Sequence, residues 1–366
     1  MNVSVYLFRL TLIHVFAGFL AQVSAHYEDW KHSGSMYLVT DSAGADLPAS
    51  AVEKNFPLLV RLNKEYFDFS QAKPQGEDVR FSSKGKPLAY QIERWDVKRG
   101  EAEIWVRIPS IKGKDQQEIQ MHWGNEKVTG ESNGEQVFRT TEGFAAVWHL
   151  GDTLDDSTSN NLDGVNRRDK PTTNTTGIIG DAQEFGVNQI LVIRPPGAKS
   201  GRRVTCMPSG NSDRTMSAWV NPTSFEGRNW AQASIGGWGE PERGQKPNMG
   251  LSYFTMTGRG QPRFHLYGFD PRCDSLLPRD EWRHVALAVS GDMVRFYVDG
   301  ILERTINNNG EEVRKLGTLR TPVSTAVDLG DHGNGRGPFN GALDEVRFES
   351  VARSANWLKL CYENQK

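Results

Sequence analysis

The densest gathering of chemically capable side chains in this 366-residue chain is GDTLDDSTSNNLDG, residues 151–164. It brings Asp152, Asp155, Asp156, Asn160, Asn161 and Asp163 into one short loop. Hard oxygen donors of this kind are what Ca²⁺ takes, about six to eight at a time, together with waters and carbonyls. The spacing is not that of an EF-hand, so a structural calcium site and an ion-free loop of Asx turns both fit the pattern.

A second acidic group is LDEVRFE, residues 343–349. A retaining glycosidase needs two carboxylates about 5 Å apart beside the scissile bond. On a regular strand Asp344 and Glu345 point to opposite faces, and Glu349 also opposes Asp344, so no ladder of acids on one face is predicted. The chain has no G-x-S-x-G elbow, no H-E-x-x-H and no Walker loop. Its histidines are dispersed, and His284 reads as a surface or inter-sheet side chain.

A third group, NWAQASIGGWGEPERGQKPNMG, residues 229–250, sets Trp230 and Trp238 among glycines and polar residues. An exposed indole offers a flat face to a pyranose ring, and Arg228, Asn229 and Glu240 offer hydrogen bonds. The alternative is that these tryptophans pack on a sheet whose glycines admit close backbone approach.

The elements that must carry these groups read as strands. In WRHVALAVSGDMVRFYVDG, residues 282–300, Val285, Leu287 and Val289 alternate, then Val294, Phe296 and Val298. Gly291-Asp292 and Asp299-Gly300 sit where tight hairpin turns belong, so an antiparallel meander follows. In the first half Leu58, Val60 and Leu62, then Ala102, Ile104, Val106 and Ile108, then Ile119, Met121 and Trp123 repeat the two-residue period. Helical periodicity is weak throughout, which predicts an all-β fold.

The polar stretch from Gly124 to Thr141 reads as a linker or long surface loop, with a domain boundary near residue 142. Residues 1–25 carry Arg9, the apolar run LTLIHVFAGFLA and small residues up to Ala25, which reads as a secretory signal cut between Ala25 and His26. The expectation is an exported chain, placed in the periplasm, on the cell surface or in the medium, with no membrane span after cleavage. With 43 basic and 45 acidic side chains and no basic run, a nucleic-acid partner is not expected. Cys206 and Cys273 could pair, leaving Cys361, which reads as a small buried hydrophobe; no zinc-type spacing occurs.

Five segments, WHLGDTLDDSTSNNLDG, GIIGDAQEFG, RTMSAWVNP, WRHVALAVSGDMVRFYVDGILE and FNGALDEVRFESVARSANWLKLCYENQ, occur in one order. Over residues 143–366 they resemble the laminin-G-like jelly-roll domain of the concanavalin A-like lectin/glucanase superfamily. FPLLVRL, FDFSQAKPQGEDVRFSSKGKPLAYQIERWD, AEIWVRIPSI and IQMHWGN resemble a bacterial module, domain of unknown function 2341, over roughly residues 28–142, within a β-rich domain expected at 26–142.

These resemblances imply two β-sandwich modules, the second a concanavalin A-like jelly roll whose partner surface is a concave face or its loops. They also imply that a structural Ca²⁺, if held, takes Asp156 and, from the last strand motif, Asp344. The acidic motif of the superfamily's catalytic members is not matched. The expected function is non-enzymatic binding of an extracellular carbohydrate or cell-surface protein, with Trp230 and Trp238 as ligand-binding candidates. The alternatives are a structural module of the bacterial envelope and a glycoside-active enzyme drawing acids from separate strands.

Overall fold

The computed structural model describes residues 27–366 except 168–169, 187–188, 197–202, 226–231, 241–248, 267–268, 308, 314 and 332–336. The chain divides into two compact units, residues 1–138 with 363–365 and residues 139–362 with 366. Both are built of strands, and among the described residues no helix is long and apolar enough to cross a membrane.

The first unit contains β1 (His32–Val39), β2 (Val52–Asn63), β3 (Arg80–Ser83), β4 (Lys86–Leu88), β5 (Tyr90–Asp96), β6 (Glu101–Lys112) and β7 (Gln116–Trp123). They form two sheets, ordered β1-β7-β3-β4 and β2-β6-β5. The simple alternation expected of β2 and β6 is exceeded, because Leu58, Leu59 and Val60, and Ile104, Trp105 and Val106, are all buried. Strands covered on both faces carry such continuous apolar runs. Asp78 ties the connecting loops together: its carboxylate accepts from the amides of Lys73 at 2.8 Å, Gly124 at 2.6 Å and Asn125 at 3.1 Å. The two motifs around Lys73 and Gly124 are thus joined by one buried acid.

The second unit opens with β8 (Phe144–Trp148), β9 (Gly164–Asn166), β10 (Thr173–Thr176), β11 (Asp181–Phe185), β12 (Leu191–Ile193) and β13 (Arg203–Val204). It continues with β14 (Arg214–Ser224), β15 (Gln232–Gly239), β16 (Leu251–Thr257), β17 (Pro262–His265), β18 (Arg272–Cys273) and β19 (Arg283–Ser290). The remainder are β20 (Met293–Val298), β21 (Ile301–Glu303), β22 (Thr305–Ile306), β23 (Thr325–Leu329) and β24 (Asn340–Glu349).

An eight-stranded sheet runs β10-β11-β24-β14-β19-β20-β21, with β8 added beside β24. A nine-stranded sheet runs β22-β18-β17-β16-β15-β23-β12-β9, with β13 beside β23. The meander read from the sequence is β19-β20-β21, all antiparallel. Its turns have the required backbone: φ is +59° at Gly291, +50° at Asp299 and +73° at Gly300. The last two match a type I′ hairpin turn, whose twist suits the flanking strands.

The inward faces of both sheets share one apolar core that includes Trp148, Trp238 and Phe348. Phe348 stands 5.3 Å from the Trp148 ring in edge-to-face contact and 5.1 Å from the Trp238 ring. Aromatic pairs at such distances add to the gain from area burial. The helix Ala355–Gln365, capped by Ser354 at the Trp357 amide, brings Trp357 under the Arg353 guanidinium at 3.8 Å.

All three cysteines are free thiols, so Cys206 and Cys273 do not pair. Cys273 lies in the core, where burial pushes its thiol up to about 11, and Cys361 is buried as expected. These are inert packing residues rather than reactive thiols.

Candidate binding face

The acidic loop is held from within. Asp156 Oδ1 accepts from the amides of Val147 at 2.9 Å and Thr158 at 3.0 Å. Its Oδ2 accepts from Thr158 Oγ1 at 2.8 Å and the Leu162 amide at 2.9 Å. Four donors fill the roughly four lone-pair sites of a carboxylate. Burial pushes the carboxyl above its usual range even against these bonds. The Asp156 side chain therefore does not fit a calcium ligand; it organises the turn that lets Leu162 cap the Trp148 indole at 2.7 Å.

Asp344 is engaged elsewhere. Its Oδ2 accepts from the amides of Ile178 and Ile179 at 2.8 and 2.9 Å. A Cβ on Gly177 would come within 2.5 Å of that oxygen, which explains the leading glycine of GIIGD. Oδ1 is buried without a partner, and burial together with the Glu345 charge pushes the carboxyl well above its usual range. Among the described residues, neither Asp156 nor Asp344 belongs to a cluster of three or more potential metal-ligating groups.

A carboxyl with a raised folded pKa favours folding most below its unfolded value and loses that contribution as pH rises through the folded value. Asp344→Asn keeps the acceptor for both amides and removes the ionisation. The variant is expected to be about 1–3 kcal/mol more stable than the parent at pH 8 in denaturant unfolding, with the gap closing towards acid pH.

The last strand departs from a regular period. Between β14 and β24, Trp219 faces Asp344 while Ser217 faces Arg347, so one extra residue is accommodated. Glu345 takes up the bulge with φ +52°. The bulge resets the alternation, so Asp344, Arg347 and Glu349 share the outward face, contrary to the opposition expected from spacing alone. The acids on this face are nevertheless all engaged. Glu345 pairs with His149 Nδ1 at 2.5 Å and Arg347 at 2.6 Å, and Glu349 pairs with Arg353 at 2.6 Å.

Burial alone would raise the Glu345 carboxyl, but the His149 and Arg347 charges facing it hold it below the usual range. His284, expected at a surface or between the sheets, is only 2 % exposed on the outward side of this sheet. It stands edge-on to Trp219 at 5.4 Å, with Nδ1 unpartnered, and burial together with Arg347 pushes its imidazole down to about 3.

Trp238 is a core residue, not a platform for a sugar. It is 0 % exposed, and its Nε1 donates to the Pro208 carbonyl at 2.9 Å. A bulge between Ser234 and Gly236 lets both Ile235 and Trp238 turn inward, while the intervening glycines let β16 approach: a Cβ on Gly237 would lie 2.3 Å from the Ser252 carbonyl. Trp238→Phe is expected to cost about 1–2 kcal/mol of stability through the lost bond and area while leaving ligand affinity unchanged. Unfolding midpoints and binding titrations on one preparation check both halves. Trp230, Ala25 and His26 lie outside the described residues.

The face missed by sequence reading is the outward side of the nine-stranded sheet. On β16, Phe254 and Met256 enter the core, so Tyr253, Thr255 and Thr257 face away. On β17 Phe264 enters and Arg263 and His265 face away; on β18 Cys273 enters and Arg272 faces away. Cross-strand register then sets Asp328, Gly237, Tyr253 and His265 in one row. Ser234, Thr255, Arg263 and Arg272 form the next.

His265 Nδ1 bonds to Asp270 Oδ2 at 2.9 Å, and the Leu266 amide donates to Asp270 Oδ1 at 2.8 Å. Burial would raise the Asp270 carboxyl, but its bond with His265 and the charges of His265 and Arg263 hold it below its usual range. Tyr253, Thr255 and His265 are buried, whereas Arg263, Asp270 and Arg272 keep intermediate exposure. The signal was present as a polar residue at every second position of β16 and β17.

The chain is all-β, and its second unit closes two sheets over one core in a sandwich whose C-terminal domain is concanavalin A-like. Residues 197–359 match the family model described as the concanavalin A-like lectin/glucanases superfamily, and residues 75–160 match a domain of unknown function, DUF2341. Both resemblances read from the sequence are borne out, in the expected order. No curated protein sequence matches the chain.

Among solved structures, domain 4 of AbnA, a GH43 extracellular arabinanase from Geobacillus stearothermophilus in complex with arabinotriose, is 19% identical. The match covers 59% of this chain and 96% of that one, with a TM-score of 0.43. The binding domain of Paraclostridial Mosquitocidal Protein 1 is 11% identical over 61% of this chain and 52% of that one, TM-score 0.38, so about half its length is spanned. A native heptameric SAP-like pentraxin from Limulus polyphemus is 15% identical over 45% and 77%, TM-score 0.31. At these scores the likenesses bear on neither ligand nor activity.

Proposed function

We propose that the chain is an exported, non-enzymatic binding protein whose C-terminal unit recognises an extracellular carbohydrate. The observation that carries this reading is the outward face of the nine-stranded sheet. Tyr253, Thr255, Arg263, His265 and Arg272 there belong to strands whose other face already fills the core. Of these, Arg263 and Arg272 keep partial exposure and can meet a ligand, whereas Tyr253, Thr255 and His265 are buried and support the face from within; polar groups fixed on a rigid sheet are suited to recognition. The family description, which spans lectins and glucanases, supports the same class of ligand. Fold alone does not decide between binding and hydrolysis.

The carboxylates of the last strand favour binding. Asp344, Glu345 and Glu349 are each 2 % exposed or less; Asp344 Oδ2 is taken by two amides, Glu345 by His149 and Arg347, and Glu349 by Arg353. A general acid and a nucleophile must both reach the glycosidic bond. Export rests on the charged and apolar pattern of the first 25 residues, and it places the ligand among periplasmic, cell-surface or secreted glycans.

The test incubates the full chain with neutral and acidic oligosaccharides while following both binding and release of new reducing ends. Saturable binding without turnover is the expected result. Turnover would overturn the non-enzymatic part, and binding only to a cell-surface protein would replace the carbohydrate.

A further inference from the structure

Arg263 is a cation without a matching anion. Its Nε donates to Thr255 Oγ1 at 3.1 Å, while its Nη2 is buried and has no acceptor. Among the described residues no carboxylate forms an ion pair with it. Its direct cross-strand partner is another arginine, Arg272. Strands lie about 4.8 Å apart, so two guanidinium stems rise side by side from one outward face. Like charges placed directly opposite are destabilising, and a buried charge lacking its partner costs several kcal/mol unless something supplies it. Asp270 is the acid whose charge reaches Arg263, and it is already bonded to His265 and the Leu266 amide.

We infer that Arg263, reinforced by Arg272, is an anion-receiving position on the binding face, and that it takes the carboxylate of an acidic saccharide. The planar guanidinium fork matches a carboxylate in geometry as well as charge. The Thr255 hydroxyl orients the guanidinium through Nε, and because Nη2 is buried the ligand meets the part of the group that keeps exposure. Arg272 adds positive potential without having to touch the ligand. Asp270 is bound down by His265 and Leu266, so it does not close the position by folding over Arg263. This inference rests on the carbohydrate-binding reading and narrows its ligand to a charged class.

An unpaired cation retained at a cost to the fold makes a distinguishing prediction. A structural arginine, when removed, lowers the unfolding midpoint; one kept for a ligand does not. Arg263→Gln and Arg263→Met are therefore expected to unfold at or slightly above the midpoint of the parent chain in the absence of ligand.

The binding test titrates the full chain with tri-galacturonate and with its methyl ester, which keeps the rings and removes the charge. Sialyllactose and a chondroitin sulfate tetrasaccharide are run beside neutral lactose and cellotetraose. At least one acidic glycan is expected to bind about tenfold or more tighter than its neutral counterpart. R263Q is expected to erase that preference, and R272Q to weaken it while steepening nothing in the salt dependence.

Equal affinity for acidic and neutral forms, or an acidic preference untouched by R263Q, overturns the anion position and leaves the carbohydrate-binding reading standing. No binding by any glycan overturns both. A midpoint lowered by more than about 3 °C in both Arg263 variants assigns the residue to the fold and also overturns the inference.

Discussion

Replacing Glu345 with alanine is expected to cost about 3–5 kcal/mol of stability, because it strands the Arg347 cation inside the protein and leaves the His149 imidazole without its acceptor. Glu345 bridges His149 and Arg347 through separate oxygens, and Arg347 is 3 % exposed. Water cannot take over the lost bonds at that depth. The position also carries backbone strain, since a non-glycine residue at φ +52° pays about 1–2 kcal/mol. Glu345→Gly relieves the strain yet leaves the same two partners unmet, so it too loses stability, by somewhat less. Glu345→Gln keeps the shape and removes the charge and should fall between parent and alanine variant. Denaturant unfolding of the three variants orders them, and a loss below about 1 kcal/mol for alanine would show that the ion cluster carries little of the fold.

Acid lability is the second large effect. His284 is held neutral, with its imidazole pushed from the usual 6.5 down to about 3 by burial and by Arg347, partly opposed by Glu345. Its unfolded form takes a proton that its folded form refuses. The stabilising contribution is complete above pH 6.5 and is lost as pH falls towards about 3. At about 1.4 kcal/mol per pH unit, the loss between pH 6.5 and pH 5 is about 2 kcal/mol. Asp344 acts with the opposite sign and Glu345 with the same sign, so the single curve of the parent chain mixes all three. His284→Leu isolates the imidazole: the difference between parent and variant should slope with pH below 6.5 and flatten above it. A difference that does not vary with pH would mean that the imidazole charges freely in the folded state.

Much of the sandwich was legible because strands announce themselves locally. Val285, Leu287 and Val289 alternate, and Asp299-Gly300 marks a turn whatever lies elsewhere in the chain. Gly177 belongs to a recognisable motif, although its purpose appears only when Asp344 is beside it. The candidate sites were less legible because they depend on what burial does afterwards. One bulge at Glu345 reversed the facing of every residue beyond it, and spacing arguments assume that no such residue exists. Trp238 was legible as an aromatic among glycines, but the same pattern serves a stacking platform and a core residue under a closely approaching strand.

Asp156 illustrates the same limit in a loop. An acid-rich run suits both calcium and Asx turns, and the choice was made by the amides of Val147, Thr158 and Leu162, brought to it by β8 and the turn. Arg263 went unread although Arg263-Phe264-His265 carries a clear polar alternation. Its interest comes from Arg272 across the strand and from what does not pair with it. Register between strands distant in sequence supplies that information, and local pattern does not.

The measurement that bears most directly on the central claim is a titration of the full chain against a panel of immobilised glycans, with soluble glycan as competitor. Saturable binding to a limited set of saccharides is expected, displaced by the same saccharide in solution and accompanied by no hydrolysis. Absence of displaceable binding across neutral and acidic glycans alike would contradict it, and would leave the polar sheet face without the ligand that its chemistry is proposed to serve.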